Sequence, residues 1–328
     1  MTDPATFYDA VQDEASTVLI DNEDILRGLS IAALTGGHVL LEGVPGVAKT
    51  TIANLFARAS GLEYNRIQMT PDILPADITG THIYREPTGE FELQRGPVFS
   101  NIVVADEINR ATPKTQSALL EAMQEGTVTI EGETLSLPAP FMVIATQNPI
   151  EMEGTFALPE AQRDRFQLKL TVDLPDREME RKLFDRFNDE PEIGPSSVSQ
   201  VVSAEDLEEA REAVADVHVA DPVREYILDT VRETRGSPDI EYGASPRATL
   251  AFLNAGKAAA AIAGRSYVIP DDIKQLAHPV LRHRIVLSTD AELGGESVDE
   301  LISELLDSVA VPEDAAGEQT VAEPPADG

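Results

Sequence analysis

The sequence predicts an α/β protein, with a parallel sheet of short buried strands covered by helices and then an all-helical second domain. Three observations carry this. Five short apolar runs, at residues 38–42, 64–68, 102–105, 141–146 and 168–172, alternate with helical or irregular segments, as in a parallel sheet covered on both faces. The first run passes through a glycine-containing turn into a helical stretch at 49–59. Beyond Pro175 only helical patterns follow.

Residues 6–35 carry apolar positions at helical spacing (Ile25, Leu26, Leu29, Ala32, Ala33) and close on Gly36-Gly37, where glycine supplies a left-handed cap. A helix therefore precedes the first strand. Two insertions interrupt the strand–helix rhythm. Residues 71–84 read as a short helix and a strand; Pro87-Thr88-Gly89 then turns the chain into a strand at 90–94, and Arg95-Gly96-Pro97 leads to the third main strand. Residues 127–130 and 134–137, joined through Glu131-Gly132, read as a hairpin. Helical patterns occupy 176–188, 204–217, 222–235, 246–264 and 270–283, with Asp221-Pro222 and Asp271 among the start signals. A proline-rich boundary near 191–195 divides a core (1–190) from a helical lid (191–310). The tail, 311–328, is acidic and rich in Pro, Ala and Glu, and is expected to be disordered.

The 58 acidic and 25 basic residues leave a net charge of −33. With 42% apolar residues there is ample core material, so the excess acid reads as surface charge on a globular fold, suited to a cytosol of high ionic strength. Cysteine is absent, which excludes disulfide frameworks, thiol nucleophiles and cysteine-ligated metal sites. The histidines (His38, His82, His218, His278, His283) lack a ligand spacing, so structural roles are expected for them. No apolar run approaches the ~18 residues of a membrane span, and Met1-Thr2-Asp3-Pro4 is no leader. A soluble cytoplasmic protein is expected.

Gly43-Val-Pro-Gly-Val-Ala-Lys49-Thr50 follows the first strand and opens a helix, the context that a phosphate-binding loop requires. Glycine is usual just before the lysine; here that place is Ala48, which suits the loop provided its φ stays negative. Amides of Gly46, Val47, Ala48 and Lys49 would ring the phosphates at a helix N-terminus. Lys49 would neutralise the β and γ phosphates, and Thr50 would ligate Mg²⁺. The run at 102–105 ends in Asp106-Glu107, at the carboxyl edge of the sheet where ligands of α/β proteins bind. Asp106 would hold Mg²⁺ through water, and Glu107 would orient and deprotonate a nucleophilic water. That pairing favours hydrolysis over transfer to a substrate hydroxyl. Asn148, at the end of the next strand, could touch both the γ-phosphate and the water, although asparagine before proline is also a common turn former.

With these residues in hand, the sequence resembles the MoxR family of AAA+ ATPases. The loop at 43–50, Asp106-Glu-Ile-Asn109-Arg110, Ala145-Thr-Gln-Asn-Pro149, Leu158-Pro-Glu-Ala161, Asp164-Arg-Phe166 and Gly243-Ala-Ser-Pro-Arg-Ala248 match family motifs in family order. The resemblance spans about residues 20–310. It implies a five-stranded AAA+ core with a helix-2 insert and a pre-sensor-1 hairpin, a helical lid, and a homo-oligomeric ring, usually hexameric, that binds ATP between subunits. Asn148 then resembles sensor 1 and Arg247 the sensor 2 arginine on the lid. Arg165 matches the arginine finger best, with Arg163 as a nearby rival, and Arg110 could act at the interface or in a solvated loop. The resemblance further implies a remodelling chaperone acting with partners that carry von Willebrand factor A domains. The alternative is the ATPase subunit of a metal-chelatase machine. Nucleic-acid translocation is disfavoured, because the hairpin at 127–137 offers Glu131 and Glu133 and no basic residue.

Overall fold

The computed structural model describes residues 2–87, 89–150 and 154–312. Two helices open the chain, α1 (Pro4–Ser16) and α2 (Glu23–Thr35), followed by β1 (Val39–Glu42) and α3 (Lys49–Ala59). Strand β2 (Tyr64–Gln68) leads into the first insertion, α4 (Pro75–Thr79), β3 (Gly80–Arg85) and β4 (Glu90–Arg95). Next come β5 (Ile102–Asp106), a 3-10 turn at Ile108–Arg110, and α5 (Pro113–Glu125). The second insertion, β6 (Thr127–Ile130) and β7 (Glu133–Ser136), precedes β8 (Met142–Gln147), α6 (Glu160–Arg163) and β9 (Leu168–Thr171). Thereafter run α7 (Arg177–Asp189), α8 (Ala204–Ala215), α9 (Asp221–Glu233), β10 (Ile240–Tyr242), α10 (Pro246–Ile262), α11 (Pro270–Leu281), β11 (Val286–Leu287), α12 (Thr289–Gly294) and α13 (Val298–Ser308).

The expected five-stranded sheet is present, all parallel, in the order β2-β5-β8-β1-β9. Its inner strands β5 and β8 are apolar because helices cover both faces, whereas β2 at the edge carries Asn65, Arg66 and Gln68. Along β5, Ile102 and Val104 pack with Leu26, Ile52 and Phe56 on one side, while Val103 and Ala105 pack with Leu119, Leu120 and Phe166 on the other. Each fully buried Val, Ile, Leu or Phe among them contributes about 1.5–3 kcal/mol. The register pairs Gln68 with Asp106, and Glu42 with Gln147. The loop after β1, the acids at the end of β5 and the end of β8 therefore meet at one edge.

Two expectations are corrected. The helical stretch at 6–35 is two helices, broken before α2 by Asp21 and Asn22 in left-handed conformation (φ 64° and 69°). The second domain is not purely helical: β10 and β11 pair antiparallel, with Ile240 opposite Leu287. The lid extends beyond the helical patterns named above through α12 and α13, the latter opened by a capping box in which Ser297 and Glu300 satisfy each other's backbone N–H groups. The turn residue Thr88 and the tail from 313 lie outside the described residues. Both insertion hairpins form, and His82 on β3 contacts Glu131 at the tip of the second hairpin (Nδ1 to Oε2, 3.3 Å). Helix α10 is buried along much of its length through Ala248, Ala251, Ala255 and residues 258–261, and it packs on α1, α2, α8, α9 and α11.

Candidate functional site

The loop between β1 and α3 is shaped by two close approaches. Gly43 donates its N–H to the Gln147 carbonyl (3.3 Å), and a Cβ at this position would stand 2.4 Å from the Val172 carbonyl oxygen. Only glycine fits there. Gly46 has φ 88°. Ala48, the residue before α3, also lies in the left-handed region, with φ 62° and ψ 19°. The expected negative φ is thus overturned, because the junction needs a left-handed residue to turn the chain into the helix. Such residues in a loop aim successive N–H groups toward one side. Lys49 begins α3, and its Nζ donates to the carbonyls of Gly43 and of Val44 (2.9 Å to the latter).

Asp106, whose side chain is 11% exposed, accepts from Thr146 Oγ1 at Oδ1 (2.6 Å) and from the Arg66 guanidinium at Oδ2. Glu107 follows with φ 58° and ψ 54°, so the two carboxylates diverge as the strand ends. Its backbone N–H donates to Thr146 Oγ1 (2.9 Å), and its Oε2 accepts from Gln68 Nε2 (3.0 Å) and Arg110 Nη1 (3.0 Å). Arg66 in turn donates to Gln68 Oε1 (2.8 Å). Asn148 is buried. Its Oδ1 accepts from the Ile150 N–H (3.1 Å), and its buried Nδ2 has no hydrogen-bond partner among the described residues.

These groups border one cleft of about 420 Å³, lined by residues 45–51, Asp106, Glu107 and residues 146–148. Of the expected site residues, Gly46, Val47, Ala48, Lys49, Thr50, Asp106, Glu107 and Asn148 come together there. A larger cleft of about 650 Å³ shares Gly46, Val47, Ala48 and Thr51 with it and extends to an apolar wall of Val18, Leu19, Leu55, Leu174, Met179 and Leu183. Thr50 and Asp106 together with phosphate and water oxygens suit Mg²⁺, which takes few ligands from the protein itself. An unpartnered amide donor beside Lys49 suits an anionic oxygen.

Arg165 and Arg247 lie elsewhere. Both border a separate cleft of about 250 Å³, together with Gly36, Gly37, Gln124 and Asn254, and no residue of the 43–50 loop lines it. Arg165 Nη1 donates to the Leu120 carbonyl (2.7 Å), and the Nε atoms of both Arg165 and Arg163 are buried without partners among the described residues. The cations beside Asp106 and Glu107 are instead Arg66 and Arg110. Sequence reasoning missed Arg66, Gln68 and Thr146. Arg66 and Gln68 signal only by position, Gln68 ending β2 opposite Asp106, while Thr146, the penultimate residue of β8, stood inside the 145–149 motif without a role.

Residues 38–168 match the family model described as ATPase family associated with various cellular activities (AAA), and residues 232–305 match the AAA lid domain. Together with the sheet order, these matches make the chain an ATPase of the AAA class. The YeaC protein of Bacillus subtilis is 45% identical over 90% of this chain and 92% of its own length. Chaperone MoxR1 of Mycobacterium tuberculosis is 44% identical over 92% of this chain and 81% of its own length. A crystal structure of a Cytophaga hutchinsonii protein superposes with a TM-score of 0.87 at 41% identity, covering 94% of this chain and 96% of that one. The chain belongs to the MoxR family of AAA+ ATPases. The chelatase likeness is more distant: a magnesium-chelatase subunit ChlI homolog of Methanocaldococcus jannaschii is 30% identical over 62% of this chain. No helix among the described residues is long and apolar enough to cross a membrane.

Proposed function

We propose that the chain hydrolyses ATP in the cleft after β1 and uses the cycle to remodel client protein complexes. The observation that carries this reading is the convergence of Lys49, Asp106, Glu107 and the unpartnered Asn148 amide on one cleft. The triphosphate lies along the amides of residues 46–50, with Gly43 giving the loop its close approach to the sheet, and the base enters the larger cleft against its apolar wall at Leu19 and Leu174. Lys49 exchanges its loop carbonyls for β- and γ-phosphate oxygens. Thr50, and Asp106 through water, would hold Mg²⁺, which would supply charge neutralisation at the phosphates. Glu107 accepts a proton from water as that water bonds to the γ-phosphorus. The bond from γ-phosphorus to the bridging oxygen then breaks, leaving ADP and inorganic phosphate. Asn148 Nδ2 donates to a γ-phosphate oxygen.

Arg165 and Arg247 border a cleft of their own, so in this reading they serve the nucleotide of a neighbouring copy, where they offset charge on the transferred group. That arrangement calls for a homo-oligomeric ring, expected to be hexameric. Chaperone activity, a partner with a von Willebrand factor A domain, a cytoplasmic location and adaptation to high salt belong to the same proposal, supported by the chaperone name of the Mycobacterium tuberculosis relative and by the charge of −33. The test mixes Lys49→Ala subunits with Arg165→Ala subunits in molar KCl with Mg²⁺. Each alone should release little phosphate, and the mixture should regain activity because each supplies what the other site lacks. An inactive wild type, or the absence of recovery at any ratio, would count against the proposal.

A further inference from the structure

The segment that carries Arg165 and the helix that carries Arg247 are joined through one carboxylate. Asp164 closes α6, next to Arg165 in the chain. Its Oδ2 accepts from Ser245 Oγ (2.7 Å), and its Oδ1 accepts from Arg284 Nε (2.8 Å). Ser245 is the residue before α10, and the hydroxyl that donates to Asp164 also accepts from the Arg247 N–H (3.1 Å). Asp164 is therefore one hydrogen bond from the cap of Arg247's helix.

Arg284 completes the junction from the turn that follows α11. Its side chain is 2% exposed. Its remaining N–H groups donate to the carbonyls of Phe166 (2.6 Å), Gln167 (3.1 Å) and Val280, which fixes the backbone just after Arg165. Burial lowers the Arg284 pKa, Asp164 raises it, and the nearby Arg247 charge lowers it again. Among the described residues, Asp164 is the lone acid lining a cleft that also holds Arg165, Arg247 and Arg284. Without that carboxylate the cleft would gather three guanidinium charges with no anion between them.

We infer that Asp164 is a positioning residue that, through Ser245 and Arg284, presents Arg165 and Arg247 as one unit to the nucleotide of a neighbouring copy. The inference rests on the reading that both arginines act on that neighbour. Ser245 carries the most selective test, since its hydroxyl spans the two elements. Ser245→Ala should lower kcat about tenfold through misplacement of the pair and leave KM for ATP unchanged, because the nucleotide binds on the other chain. Ser245→Thr, which restores the hydroxyl, should recover kcat. Mixing Ser245→Ala with Lys49→Ala subunits should also restore turnover, because the Lys49 variant brings an intact arginine pair to an intact phosphate loop. A general folding or assembly defect would not be rescued in that way. Asp164→Asn, which keeps size and shape, should repeat the kcat loss and the rescue.

Arg165→Ala and Arg247→Ala separate the two ideas. If both keep wild-type kcat, the reading of the arginines fails and the inference falls with it. If both lose kcat while Ser245→Ala and Asp164→Asn keep it, the inference alone is overturned. A kcat loss in Ser245→Ala that neither Thr nor the Lys49 mixture repairs overturns it as well.

Discussion

Acidification from pH 7 to pH 5 should weaken the fold through His38 by about 2 kcal/mol. His38 lies just before β1 and is buried. Its Nδ1 accepts from the Val143 N–H (3.0 Å), and Nε2 contacts the Met123 carbonyl (3.0 Å), a pairing that requires the neutral ring with its proton on Nε2. Burial lowers its pKa from 6.5 to about 4, opposed in part by the bond to Met123. A base with a depressed folded pKa costs nothing above the unfolded value. It then costs about 1.4 kcal/mol per pH unit as the pH falls from 6.5 toward 4. Protonation adds charge to the core and destroys the acceptor for Val143. Urea unfolding of the wild type and of His38→Gln, each at pH 7 and pH 5, isolates the effect, since Gln can accept and donate but does not titrate. The variant starts less stable, yet its further loss on acidification should be smaller than the wild type's by about 2 kcal/mol. Other titrating groups, His283 included, are common to both proteins and cancel. Equal losses in both would refute the argument.

Glu107→Gln should keep nucleotide binding and lower phosphate release by about 100-fold or more; undiminished release would remove Glu107 as the base. Lys49→Ala should weaken ATP binding by at least about tenfold, and a titration showing native affinity would contradict its role. At position 48, where φ is 62°, Ala48→Val should cost more than about 1 kcal/mol. Ala48→Gly should cost nothing measurable, because relief of the left-handed strain offsets glycine's extra unfolded entropy; thermal melts of the two would decide. Phosphate release at high KCl should stay flat on addition of single-stranded DNA, and stimulation would reopen the translocase class.

The main sheet was legible because its inner strands are buried on both faces, so β5 and β8 stand out as apolar runs. The phosphate loop was legible because Gly43, Gly46, Lys49 and Thr50 sit together in sequence. What stayed hidden depends on distant pairing. Arg66 and Gln68 matter because β2 lies beside β5, a neighbour relation fixed only by the sheet order. Strands β10 and β11 are too short to show a period, and their partners Ile240 and Leu287 are far apart in sequence. The break before α2 contains neither glycine nor proline; Asp21 and Asn22 make it by adopting left-handed geometry themselves. Helix α13 did carry a readable start in Ser297 and Glu300, masked by the acidity around it. Asp164, Ser245 and Arg284 come from three segments that only the tertiary fold joins.

Helix α10 works as an axle. Alanine has no rotamers to freeze, so lining this helix with alanines buries its surface without side-chain entropy cost and brings neighbouring backbones close, in a packing that passes displacement on instead of absorbing it. Arg247 rides on its first turn, and α1 and α2 grip its shaft. The segment between those two helices, residues 18–22, walls the larger cleft beside Gly46. The wall of that cleft and the helix that carries Arg247 are thus joined through the same two N-terminal helices.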